Sequence, residues 1–149
     1  MNPFDLRAAV LARHAQHVVI IHFPIALFIC GVAFDLVAVW RHNRALAVAA
    51  YYNLVAAAIS ALPAVATGLM AWQLQLGGKT PRGNLRLHLA LALLSSSAMW
   101  VVWHLHVRAQ RKFQPALSTV RLAFEIATAV LIALTGHLGG FLSGVNGPA

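Results

Sequence analysis

The chain has 149 residues, 60% hydrophobic and 9% charged, with a mean hydropathy of +0.76. A water-soluble domain of that length cannot cover so much apolar surface with so few charges, so a membrane-embedded domain is the expected class. The formal net charge of +8 lies between hydrophobic segments rather than in a basic stripe with interleaved aromatics, which suits lipid headgroups and argues against nucleic acid.

The opening stretch MNPFDLRAAVLARHAQH lacks an apolar core, and the run after it is too long for a signal-peptide core, so no cleavable signal is expected. That run predicts a helix over about 18–40, closed by RHNR. A turn that short makes the next helix, about 45–73, an antiparallel neighbour. Pro63 allows the second helix to bend. LGGKTPRGN then breaks the chain, and a third helix follows over about 87–107. RAQRKFQPALST separates it from a fourth over about 120–142, with Ser118 or Thr119 as the cap. Each run is about the 20 residues that cross a bilayer core. The expected fold is all-α: one transmembrane domain over 1–149, an antiparallel four-helix bundle with both termini on one side. Trp40, Trp72, Trp100 and Trp103 fall near segment ends, as an aromatic belt would place them. Cys30 is the single cysteine, so no internal disulfide or cysteine metal cluster is possible.

Basic residues barely separate the two sides. Arg7, Arg13, Lys79, Arg82 and Arg86 lie with the termini; Arg41, Arg44, Arg108, Arg111, Lys112 and Arg121 lie opposite. The small excess opposite leans towards external termini.

Eight histidines are the informative polar class. His22 lies just inside the start of the first helix, His88 opens the third, and His137 lies near the end of the fourth. Alternating helix directions bring these three to the membrane face on the terminus side. His14 and His17 add two nearer water. Three imidazoles at one depth could ligate haem iron, zinc or copper. The plainer reading is that each meets headgroups or caps a carbonyl. Pro24 frees the carbonyl of Ile20 and could bend the helix so that His22 points inward. The small residues of Ala66–Gly68 and Thr135–Gly140 leave room around that face.

The opposite face carries His42, His104 and His106. His104 and His106 lie about 200° apart round a helix, so HLHVRAQRK reads as a basic interfacial flank. His88 and His106 share a helix face but are about 27 Å apart, too far for one haem. Two of the three acids, Asp35 and Glu125, enter the membrane near this face. Structural pairing with Arg41, Arg44, Arg121 or His104 is the plainer account, Arg121 and Glu125 being four residues apart. A proton or quinone-headgroup site is the sharper one.

HFPIALF with FD downstream, LPAVATGLMAW, the third-helix histidine and TGHLGG resemble an uncharacterised bacterial four-helix membrane family with a histidine–phenylalanine–proline signature. The resemblance covers roughly 16–147. It implies a small cytochrome b-like bundle in the bacterial inner (cytoplasmic) membrane, beside redox proteins, with the family's histidines carried onto His22, His88 and His137. Members often have a tyrosine and a histidine after the paired glycines; this chain has FLSGVNG there.

Three functions follow as expectations. The first is a haem b electron-transfer subunit between a quinone and a redox partner. In it, two of His22, His88 and His137 ligate iron, and Arg82 and Arg86 pair the propionates. The second is a zinc- or copper-binding or transport protein using the same histidines. Met1, Met70 and Met99 are too scattered for copper(I). The third is a cofactor-free anchor in a larger complex. No nucleophile–base set suggests an enzyme acting alone.

Overall fold

The computed structural model describes residues 15–75, 77–111 and 119–143. These form α1 (Ala15–Arg41), α2 (Arg44–Gln75), α3 (Gly83–Arg111) and α4 (Thr119–Leu142). His14, Lys112 and the candidate cap Ser118 lie outside the described residues. All four helices are long and apolar enough to cross a membrane. Between 17% and 28% of the most apolar stretch of each is buried inside the protein. The remaining surface, including Phe23, Ile29, Leu62 and Val130, needs lipid around it. The protein is therefore a multi-pass membrane bundle.

Local chemistry fixes the α1–α2 turn. His42 takes a left-handed conformation at φ 51°. Its N–H donates to the Val39 carbonyl, and the Asn43 N–H to the Ala38 carbonyl at 2.9 Å. That pair of bonds ends α1 as a Schellman motif. Asn43 Oδ1 then accepts the N–H groups of Ala45 and Leu46 at 2.9 and 3.2 Å, capping α2. His42 is thus part of a turn and exposed. Between α2 and α3, Gly77 and Gly78 are both left-handed, and the Trp72 Nε1–H donates to the Lys79 carbonyl.

α1 packs most extensively on α2, and α3 on α4; α2 joins the two hairpins to each other, while α1 and α4 touch little. Cross-helix pairs run in opposite order along the chain (His88 with Thr135, His106 with Glu125), so α3 and α4 are antiparallel. The core is Phe28, Val32, Leu54, Met99, Val102 and Ile132, with Ala57, Ala58 and Ala61 keeping α2 thin. Gly31 on α1 receives Leu54: a Cβ there would stand 2.8 Å from Leu54 Cγ. Small residues at such crossings let transmembrane backbones approach. Trp40 is exposed near the end of α1 and stacks under Arg41 at 4.4 Å, as an interfacial residue would. Trp100 and Trp103 instead meet edge to face and pack against the core.

Candidate functional site

The starts of α1 and α3 and the ends of α2 and α4 share one face of the bundle, called here the first face. His22, on α1, is exposed, and its Nδ1 lies 2.6 Å from the Val18 carbonyl. Pro24 is buried, but His22 lies about 200° round the helix from it. The expectation that Pro24 turns His22 inward is therefore not met, and His17 faces α2 instead. Its Nδ1 is 3.2 Å from Thr67 Oγ1, and its ring sits where a Cβ on Gly68 would be, at 3.0 Å. The Thr67 hydroxyl donates to the carbonyls of its own helix, so Oγ1 accepts from His17.

His88 is half-buried between α3 and α4. Its Nδ1 lies 3.0 Å from the Thr135 carbonyl, and its ring approaches Gly139. A carbonyl only accepts, so Nδ1 carries the hydrogen in both His22 and His88, and Nε2 keeps the lone pair. His137 is exposed, edge-on to Phe141 at 5.0 Å. Arg82 and Arg86 are exposed near the start of α3. His22, His88 and His137 do not bring three ligand atoms within 4.8 Å of one another.

The second face does. Asp35 on α1, His106 on α3 and Glu125 on α4 are all buried, with ligand atoms within 4.8 Å of one another, a spacing at which an ion could be held. His106 Nε2 is 2.7 Å from Glu125 Oε1 and 4.0 Å from Asp35 Oδ2. Arg121 donates through Nη2 to Asp35 Oδ2 at 2.8 Å, and its Nε stands 3.7 Å from Glu125 Oε1. Glu125 is 0% exposed, and its Oε2 has no hydrogen-bond partner among the described residues. The cluster lies about 9 Å inside the ends of α1 and α4, from six residues at 1.5 Å each.

The reading of Asp35 and Glu125 as paired acids holds for Arg121, but the histidine partner is His106, not His104. His104 is exposed on the other side of the helix. The missed signal was spacing. His106 continues the buried line Ser95–Met99–Val102, Glu125 the line Arg121–Thr128–Ile132, and Asp35 the line Phe28–Val32–Ala38. With its ionisable residue included, each line advances by three or four residues, the period of a buried helix face. The neighbouring Arg108 and Arg111 made His106 read as part of a flank.

The family model described as a predicted membrane protein (DUF2231) matches residues 13–147, nearly the whole chain, and the chain belongs to that family. Neither curated proteins nor solved structures give a significant match.

Proposed function

We propose, from the premise that this is a DUF2231 membrane protein, that it is an ion-handling membrane subunit. Its working centre is the cluster of Asp35, His106, Arg121 and Glu125. One observation carries the reading: Glu125 is buried among three helices with one carboxylate oxygen unpaired among the described residues. A purely structural bridge is already made by Arg121 and Asp35. A second buried carboxylate with an unsatisfied oxygen adds a desolvation penalty of about 1–3 kcal/mol or more. Ionisable groups inside membrane bundles commonly line ion and proton pathways. Exchanging the chromosomal copy for Glu125→Gln tests this. The variant should accumulate in the membrane at the wild-type level and reproduce the phenotype of the deletion strain. Wild-type behaviour at that level of protein would sink the reading.

A second reading, a haem b electron-transfer subunit of the bacterial inner membrane working between quinone and a redox partner, is favoured by a separate observation. His22 and His88 both hold Nδ1 on a backbone carbonyl, which orients a ligating imidazole and raises its basicity. In this tautomer each would offer Nε2 to the iron, His22 from the exposed side of α1 and His88 from between α3 and α4, where its ring packs on Gly139. Haem would supply one-electron transfer. A reduced-minus-oxidised spectrum of protein made with ample haem supply should show Soret and alpha bands, and His88→Ala should remove most of their intensity. A featureless spectrum rules this reading out. Stoichiometric zinc or copper without iron would select the metal-binding alternative at these histidines.

A further inference from the structure

We propose that the ion held at the second face is a single proton, shared between His106 and Glu125 and exchanged with water on that side of the membrane. The inference rests on the ion-handling reading and identifies its ligand.

The charge count leads there. Asp35 and Glu125 as carboxylates carry two negative charges, and Arg121 supplies one positive charge, in direct contact with Asp35. With His106 neutral the buried set is one charge short of neutrality. One added proton closes the count, either as Glu125 O–H donating to a neutral His106 Nε2, or as His106 Nε2–H donating to the Glu125 carboxylate. The 2.7 Å separation fits both. A divalent metal ion would leave the set with an excess positive charge. It would also have to share Asp35 with a guanidinium at 2.8 Å. A net charge in the apolar interior is strongly disfavoured, and a monovalent metal ion has no room between His106 and Glu125, whose atoms already meet at hydrogen-bond distance, so the proton is the cation that fits.

Among the described residues, groups from the other elements leave the count unchanged. On α2, Arg44 and Tyr52 are exposed, and Tyr51 lies edge-on to Tyr52. Near the ends of α1 and α3, Arg41, His42, His104 and Arg108 are exposed. When the proton leaves for second-face water, the cluster becomes singly negative. The Arg121 Nε, 3.7 Å from Glu125 Oε1, is the donor placed to close on the carboxylate.

Infrared difference spectroscopy on the full chain in lipid nanodiscs tests this, between mildly acidic and alkaline buffer. The wild type should lose one carboxylic-acid or imidazolium band as pH rises, with release of one proton per chain beyond that of Glu125→Gln. Asp35→Asn is the sharper variant. It leaves Glu125 and His106 in place but balances the charge without a proton, so the band should be missing at every pH. A structural role alone would leave that band untouched. The inference fails if the wild type shows no such band, or if folded Asp35→Asn keeps it. Stoichiometric retention of added zinc ion, displacing the band, would also overturn it while leaving the ion-handling reading standing. The strain experiment with Glu125→Gln tests that reading separately.

Discussion

Arg121→Leu is expected to be the most damaging single substitution in the second-face cluster, lowering stability by about 3–5 kcal/mol. The change removes the guanidinium that contacts Asp35 at 2.8 Å and faces Glu125 at 3.7 Å. Two carboxyl groups from different helices would then share one buried volume with no fixed cation. Asp35→Asn should be milder, because Arg121 can still balance Glu125. Replacing Asp35 and Arg121 together by Leu and Met should recover most of the loss. A well-packed apolar pair avoids the desolvation that a buried ion pair must overcome. Unfolding of the three variants in one detergent, compared side by side, checks the order. A double variant less stable than Arg121→Leu would show that the pair contributes more than charge neutralisation.

Gly31→Val is expected to be the second large effect. The first added carbon already falls 2.8 Å from Leu54 Cγ and 2.9 Å from Cδ2. Leu54 is 1% exposed and part of the core, so it has little space to retreat into. Overpacking of this kind costs about 1–3 kcal/mol, by forcing side chains off their rotamers or helices apart. Leu54→Ala alone should also destabilise, by leaving a cavity. Combined with Gly31→Val, it should be less harmful than the sum of the two, because the new methyl groups enter the vacated space. A double-mutant cycle with additive losses would show that the contact does not set the α1–α2 distance.

Some of the second-face cluster was legible in advance, and its limits are instructive. Asp35 and Glu125 stood out because an acid in an apolar run has to be paired, protonated or exposed to water. Arg121 stood out because it lies one turn before Glu125. His106 was masked by Arg108 and Arg111, which gave its segment the look of a headgroup flank. Charge density along the chain reports membrane depth, whereas burial depends on which side of the helix a residue occupies. The first face shows the converse. Depth correctly grouped His22, His88 and His137 near one end of the bundle. Rotation then set His22 outward, His17 against Gly68 and His88 against Gly139.

The sequence by itself determined that this chain crosses a membrane, in four helices that alternate in direction, because length and hydropathy are one-dimensional quantities. It also determined the sharp turn at RHNR, since capping by Asn43 involves neighbours in the chain. Only the tertiary structure decided which ionisable groups meet. Asp35, His106 and Glu125 are far apart in the sequence and come from three helices, and their meeting depends on the rotation of each helix about its axis. The spacing of each buried line marks which side of its helix turns inward, but which helices those sides meet is set by packing, with Leu54 seated on Gly31 and the imidazoles on small residues.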